Sequence, residues 1–182
     1  MNEVQKMLKE STEILVKKKC IDLIPSMYRY IPDYYKSSDR LSQAIKDITN
    51  YIEKTKGKDR GQGYISLGRL SVRATEKDFA PHIATIVQLV YKEIQPPIRQ
   101  RDGTIKPNVE LDALTCFTYL LKHHGSKIDE CISIPHFISD LFLSGFKNEV
   151  IQCLGQISRI KNGKYKRHCQ IKLLNSCSII LT

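Results

Sequence analysis

The chain has 182 residues, 41% of them hydrophobic, and a formal net charge of +10. This length suits one domain with a core or an array of small repeats, and the hydrophobic content excludes a disordered chain. No run of about eighteen apolar residues occurs, so we expect no membrane span. The charged amino-terminal stretch lacks a secretory signal core, which favours a cytoplasmic location.

Six cysteines occur, and none of them forms a Cys-x-x-Cys pair. Several lie in apolar stretches, where a free cysteine behaves as a small hydrophobic residue. Cys131 and His136 are near each other in sequence, but no second pair of ligands follows at zinc-site spacing. The sequence therefore predicts no disulfide framework, no metal site and no cofactor.

Apolar residues recur with helical spacing through most of the chain. The clearest stripe is Leu41, Ile45, Ile48 and Ile52, whose 4-3-4 spacing marks one face of a helix. In chain order, this periodicity predicts helices over residues 2–9, 12–31, 39–54, 63–74, 79–93, 109–121, 135–143 and 150–157, and the start of a further helix over 164–182.

Glycine and proline separate these helices. Residues 95–108 contain three prolines and an Asp-Gly pair without alternating apolar flanks, so we expect a mobile loop rather than a hairpin. Gly125 and Gly163 each follow an apolar stripe, as is typical of residues that end helices. His123 and His124 directly precede Gly125, which predicts that they cap the C-terminus of their own helix.

Four segments share a similar apolar helical core and align with Ile24, Leu67, Tyr119 and Leu154 in one column. The mean spacing is about 43 residues, inside the range of about 40–47 residues for HEAT and armadillo helix pairs. The prediction is an all-α fold, a HEAT- or armadillo-like α-α superhelix of about four helix pairs. The approximate repeats are 1–36, 37–78, 79–128 and 129–162.

The stretch KDRGQGYISLGRL, residues 58–70, contains three glycines. A nucleotide-binding loop would need GxxxxGK[ST] or GxGxxG, and neither pattern is present. No His-Arg-Asp or Asp-Phe-Gly motif of kinases occurs either. We therefore expect no catalysis in this chain and interpret Gly68 as a position where two helices approach closely.

Residues 59–94 resemble the amino-terminal HEAT array of the target-of-rapamycin kinases. An acidic-Arg-Gly start, an aromatic-Ile-x-Leu-Gly core and a following Leu-Ser-Val-Arg run carry the resemblance. A looser match extends over roughly residues 40–160 and includes 109–125. The matching positions are Asp59, Arg60, Gly61, Tyr64, Ile65, Leu67, Gly68, Leu70, Ser71, Val72, Arg73, Phe79, Val109, Asp112, Thr115, Cys116 and Gly125.

The resemblance implies a non-catalytic scaffold segment of a protein serine/threonine kinase that controls growth in response to nutrients. It implies self-assembly of the solenoid and a raptor-type subunit as partners, and a location in the cytoplasm, on endomembranes or in the nucleus. We expect the chain to be a fragment or a truncated product of a longer solenoid. The family's acidic residues after the last helix are replaced here by YKRHCQIKLL.

Two groups of side chains are candidates for an interaction surface. Tyr34 and Tyr35 lie in an aromatic and basic cluster, which predicts a protein-binding rim, an RNA-stacking platform or half-buried aromatics at a helix end. Arg99 and Arg101 lie in the proline-rich loop, and such loops often serve as docking points.

Two alternatives keep the predicted helices but change the function. One is a generic HEAT adaptor of the kind found in transport receptors and phosphatase scaffolds. The other is a nucleic-acid-binding helical protein, because the stretch from Val150 to Thr182 contains several basic residues and no acid. The remaining excess of charge is spread along the chain, so nucleic acid is the less favoured partner.

Overall fold

The computed structural model describes residues 3–31, 33, 38–99, 101–103, 105–109, 111–143 and 147–171. Helices dominate this part of the chain and are connected by short turns. Their bounds are α1 Glu3–Glu10, α2 Ile14–Tyr30, α3 Ser38–Lys54, α4 Gly61–Arg73, α5 Glu76–Tyr91, α6 Leu111–Cys131, α7 Ile134–Leu143 and α8 Lys147–Ile157. Residues 166–171 are also helical.

The helices pack in two rows that follow the order of the chain. In the first row α2 packs against α4, α4 against α6, and α6 against α8. The second row consists of α3, α5 and α7, and within it α3 contacts α5. Each second-row helix also contacts the first-row helix that follows it in sequence: α3 with α4, α5 with α6, and α7 with α8. The main helix contacts therefore join elements that are one or two helices apart.

The predicted apolar stripes form the core between these rows. In α3, the side chains of Leu41, Ile45, Ile48 and Ile52 are all buried, as the 4-3-4 spacing predicts. At the start of α5, the Thr75 hydroxyl accepts a hydrogen bond from the amide of Asp78 and stabilises the helix N-terminus. Local sequence and burial thus agree on where these helices lie.

The prediction of a loop at residues 95–108 is wrong for residues 95–99 and 105–108, which belong to an antiparallel hairpin. Strand β1 is Ile94–Arg99 and strand β2 is Ile105–Val109. The pairing is irregular between Gln95 and Ile98, where two prolines lack the amide hydrogen that a ladder needs. Gly103 has φ +84°, which allows the chain to reverse there.

The hairpin occupies a place in the second row of helices. Strand β1 contacts both α5 and α7. Its insertion coincides with the longest spacing in the predicted repeat column, between Leu67 and Tyr119. The predicted all-α class is confirmed for the packing of the helices, and one short two-stranded sheet lies between two helices of the same row.

The predicted helix end at Gly125 is confirmed to within one residue, because the helical backbone is interrupted at His124. His124 has φ −133° and ψ 22°, which is not helical, so α6 consists of two helical segments that meet at a kink, the second of which ends at Cys131. A true reversal follows α8, where Lys161, Asn162 and Gly163 all have positive φ. Gly163 therefore lies in a left-handed turn, whereas Gly125 begins the second helical segment of α6.

Helix α4 packs closely against its neighbours, and its glycines explain why. A side chain at Gly63 would begin 2.4 Å from Ile52 of α3, and one at Gly68 would begin 2.8 Å from the ring of Tyr119 and 3.0 Å from Cα of Cys116 in α6. These distances are shorter than van der Waals contact. The expected close approach at Gly68 is confirmed, and Gly63 makes a second one to another helix.

Replacing Gly68 by alanine tests this packing. Alanine favours a helix by about 1 kcal/mol over glycine, but at Gly68 its methyl group would overlap Tyr119 and the α6 backbone. We expect Gly68→Ala to lower the free energy of unfolding by about 1–3 kcal/mol in urea denaturation. The control is Gly155→Ala in α8, where nothing lies within 4 Å, and which should be neutral or stabilising. Equal effects of the two substitutions would contradict the close approach.

Candidate functional site

The motif residues that resemble the kinase scaffold gather around α4, and most of them are buried. Tyr64, Leu67, Leu70, Phe79 and Cys116 are each 0% exposed. Ile65, Asp59, Arg60 and Asp112 are partly buried, and Val72 is 39% exposed. The motif therefore builds the core between neighbouring helices, and only its ends reach the surface.

Arg60, Tyr64 and Glu93 form a polar group at the start of α4, which we call the Arg60 cluster. The Arg60 guanidinium donates to both carboxylate oxygens of Glu93, at 3.1 and 2.5 Å. It also lies over the Tyr64 ring, 5.6 Å from the ring centre. Burial, and then the charge of Glu93, raises the pKa of Tyr64 well above its usual range. This bidentate pair joins the start of α4 to the entry of the hairpin.

A second polar group links α4 to the preceding first-row helix. Asp22 of α2 accepts hydrogen bonds from the side chains of Gln62 and Arg69, each at 2.9 Å. Lys18 of α2 pairs with Asp59 at 3.1 Å. These bonds hold α2 and α4 in one register along their shared face.

The far side of α4 contacts the first half of α6. A side chain at Gly61 would collide with the Asp112 carboxylate, which lies 1.9 Å from the position of its Cβ. Cys116 is buried beside Gly68, and burial raises the pKa of its thiol far above the usual value. Burial likewise raises the pKa of Cys153 to about 12. Neither thiol is suited to nucleophilic chemistry, since both stay protonated at neutral pH.

His124 lies at the bend of α6 and is 2% exposed. Its Nε2 donates to the carbonyl oxygen of Ser71 at 3.0 Å, and its ring stacks on Phe79 with centroids 5.0 Å apart. Ser71 belongs to the last turn of α4, whose carbonyl oxygens lack partners within the helix. The prediction that His124 caps the C-terminus of its own helix is thus wrong. Its hydrogen bond instead gives a partner to a carbonyl oxygen at the C-terminus of α4.

The basic carboxy-terminal stretch is partly neutralised by one buried acid. The Asp129 side chain is 5% exposed and pairs with Lys161 at 2.7 Å and Lys164 at 3.4 Å. It also accepts a hydrogen bond from Tyr165. Burial alone would raise the pKa of Asp129, but the bonds from Lys161, Tyr165 and Lys164 hold it below the usual value. These lysines anchor a turn, which weakens the case for a continuous phosphate-binding stripe.

Only some of the residues predicted for an interaction surface belong to the described part of the chain. Tyr34 and Tyr35 lie outside the described residues. Arg99 ends β1, and Arg101 is exposed in the hairpin turn that follows. The hairpin therefore presents at least one arginine to solvent at the edge of the second row.

An apolar surface that the sequence analysis missed lies between α1 and α2, and we call it the α1–α2 groove. Met7, Leu15 and Leu23 are 49%, 69% and 49% exposed. Together with Val4, Val16, Cys20 and Lys19 they line a cavity of about 300 Å³. The helical spacing of Leu15, Lys19 and Leu23 places these three on one side of α2. Contiguous exposed apolar residues of this kind typically mark a binding surface.

Other chemistry finds little support in the described part of the chain. No group of three potential metal ligands occurs among these residues. None of the described helices combines the length and the hydropathy that crossing a bilayer requires.

Comparison with protein-family models, with curated protein sequences and with solved structures finds no match for this chain. The functional interpretation therefore depends on the geometry of the helices and on the motif in α4.

Breaking the Arg60 cluster should destabilise the chain measurably. The side chains of Arg60 and Glu93 are only 29% and 18% exposed, so Glu93→Gln leaves a partly buried guanidinium without its charge partner. We expect a loss of about 1–3 kcal/mol in the free energy of unfolding. Glu130→Gln removes an exposed pair with Lys127 and should cost less than about 0.5 kcal/mol. If both variants unfold at the same denaturant concentration, the cluster has no special role.

Proposed function

We propose that this chain is a non-catalytic segment of a HEAT-type α-solenoid that supports the assembly of protein complexes. In such a solenoid each helix pair contacts only its neighbours, so bonded residues lie about one repeat apart. The surfaces of the two rows then remain available to partners. The free energy of folding is then distributed over the contacts between neighbouring repeats, and partners can bind at several positions along the stack.

The observation that carries this proposal is the sequence separation of the side-chain bonds between helices. Lys18 with Asp59 and Asp22 with Gln62 span 41 and 40 positions. At the two ends of the observed range, Arg60 with Glu93 spans 33 positions, and His124 with Ser71 spans 53. A compact helical bundle would also join its first and last helices, whereas the main contacts here join elements one or two helices apart.

The resemblance of residues 59–94 to the target-of-rapamycin kinases supports a narrower proposal. In it, the parent protein is a serine/threonine kinase of this family, and the segment helps to assemble a growth-signalling complex with a raptor-type subunit. The burial of the motif around α4 is consistent with a scaffold role, since these residues shape the stack. A generic HEAT adaptor shares the same geometry, and the two differ in what the parent chain contains.

Hydrogen exchange tests the stacked arrangement. Leu67 in α4 and Leu154 in α8 are both buried, at 0% and 2% exposure, and each truncation to alanine should cost about 2–5 kcal/mol. We expect Leu154→Ala to lower amide protection in α8 and α6 while α2 and α3 keep theirs. Leu67→Ala, in the middle of the stack, should lower protection on both sides. Equal loss in all helices for both variants would indicate a single cooperative core and contradict the proposal.

The coding sequence that follows Thr182 tests the narrower proposal. A parent of the target-of-rapamycin family requires a kinase domain in the same reading frame. If the sequenced transcript encodes further helices and such a domain, the assignment gains direct support. A complete parent chain without a kinase domain would contradict it and favour the generic adaptor.

A further inference from the structure

A polar cavity lies where the end of α1, the start of α2 and the second half of α3 meet, and we call it the α1–α3 cavity. Its volume of about 400 Å³ is in the range of small-molecule sites. Because α3 forms one wall, the cavity is distinct from the α1–α2 groove, with which it shares no lining residue. The charged and hydroxyl-bearing side chains that the argument uses are Lys9, Thr12, Lys17, Asp47, Lys54 and Thr55.

Positive charge predominates in this cavity. Each of the three helices contributes one lysine to the wall, namely Lys9, Lys17 and Lys54, whereas the described lining residues include a single acid, Asp47. Lys17 and Lys54 have no ion-pair partner among the described residues. The cavity therefore has an excess of cationic groups, and an anion is the ligand that would balance them.

The start of α2 adds further donors for an anion. Ile14, the first residue of α2, lines the cavity, and the amides of a first helical turn lack partners within their helix. No side chain caps this end, the preceding Glu13 included, and its first turn contains no acid. Free amides and the positive end of the helix dipole together favour a phosphate group. The ends of α1 and α3 each add about half a negative charge, which is less than the full charges of Lys9 and Lys54.

The single acid indicates what else the ligand carries. Asp47 is 7% exposed and accepts hydrogen bonds from Gln43 at 2.8 Å and from Gln5 at 3.4 Å. A carboxylate has about four acceptor positions, so Asp47 can also accept from a hydroxyl group in the cavity. Thr12 and Thr55 add hydroxyl groups to the same lining. The cavity thus combines a cationic side with acceptors for a polyhydroxy molecule.

We propose that the α1–α3 cavity binds the phosphate monoester of a small polyhydroxy molecule. The phosphate contacts Lys17, Lys54 and the first amides of α2, and a hydroxyl group of the ligand donates to Asp47. A phosphate monoester carries a charge of about −1.5 to −2 at pH 7, which suits this set of lysines better than the single charge of a carboxylate. The inference adds a ligand site to the proposed scaffold and does not depend on the repeat.

Calorimetric titration of the full chain with glucose 6-phosphate tests the proposal. Near-physiological ionic strength is used, because salt screens non-specific attraction to a basic surface. We expect saturable binding with a Kd of about 1 mM or tighter. Methyl phosphate, which has no hydroxyl group, should bind about tenfold more weakly. Lys17→Gln and Lys54→Gln should each weaken the binding of glucose 6-phosphate about tenfold, since each removes one charged contact.

The matched control is Lys46→Gln, which makes the same charge change on α3. Lys46 is exposed and lies outside the cavity lining, so this variant should bind within about twofold of the wild type. Because Lys17 and Lys54 have no ion-pair partner among the described residues, their variants should keep the wild-type melting curve. A loss of binding in them would then report the site and not the fold.

Nuclear magnetic resonance locates the ligand independently of the variants. Glucose 6-phosphate should shift the amide signals of Ile14, Leu15 and Val16 at the start of α2, in proportion to saturation in the calorimeter. A lysine that only stabilises a helix end would not produce this ligand-dependent shift. Glucose without phosphate should leave the three signals in place.

A free metabolite and a lipid headgroup share this chemistry, and sedimentation with vesicles distinguishes them. Phosphatidylcholine vesicles are compared with and without phosphatidylinositol 4-phosphate, which presents a phosphate monoester beside hydroxyl groups. Co-sedimentation that requires this lipid, and that Lys54→Gln abolishes, would identify a headgroup as the ligand. Absence of co-sedimentation together with saturable binding of glucose 6-phosphate would identify a soluble ligand.

Three results would overturn the proposal. The titration could fail to saturate, Lys46→Gln could weaken binding as much as Lys54→Gln, or methyl phosphate could bind as tightly as glucose 6-phosphate. The first two would remove the phosphate site, and the third would remove the hydroxyl contact to Asp47. None of them affects the hydrogen-exchange experiment on the stack, so the two proposals fail separately.

Discussion

The contact between α4 and α6 at Gly68 is the constraint on which the rest of the structure depends. Without a side chain at Gly68, Cys116 and Tyr119 of α6 can approach the α4 backbone. Gly63 permits a similar approach of α3, and Gly61 leaves room for Asp112. Three small residues on one helix thus set its distance to two neighbours. The aliphatic core around them can be continuous only because these helices lie so close.

Polar pairs fix how far each helix is shifted along its neighbour. Asp22 accepts hydrogen bonds from two side chains of α4, and Arg60 forms an ion pair with Glu93. Asp129 forms an ion pair with Lys161 and so fixes the turn that contains it. Apolar contacts alone tolerate sliding of one helix along another, because dispersion and burial are not directional. Charged hydrogen bonds with two partners have one good geometry. Each helix pair is therefore aligned with the next one by groups at the edge of the core.

The separation between buried packing residues and surface residues matters for the proposed function. The motif residues around α4 are used for packing between helices, so a partner of the proposed scaffold would meet other positions. Two such positions stand out: the hairpin turn, where Arg101 is exposed, and the α1–α2 groove with its exposed leucines. A proposed scaffold that keeps its motif inside and varies its surface can hold the same architecture while its partners change.

By itself, the sequence determined where most of the helices lie and which face of each helix is apolar. Stripes such as Leu41, Ile45, Ile48 and Ile52 read directly as one face, because helical periodicity is a local property. The close approach at Gly68 was also predictable, since a glycine inside a helix costs stability that some contact must offset.

Only the tertiary structure decided where the polar residues found their partners. Glu93 gave no local signal that it would pair with Arg60, and His124 was expected to cap its own helix but serves α4. The hairpin formed by β1 and β2 was missed because its prolines hide the alternation typical of strands, and because its contact with α7 lies about 40 residues away in sequence. The α1–α2 groove was missed for the same reason: whether an apolar residue is buried depends on a neighbouring helix, and the residue alone does not show whether that helix is present.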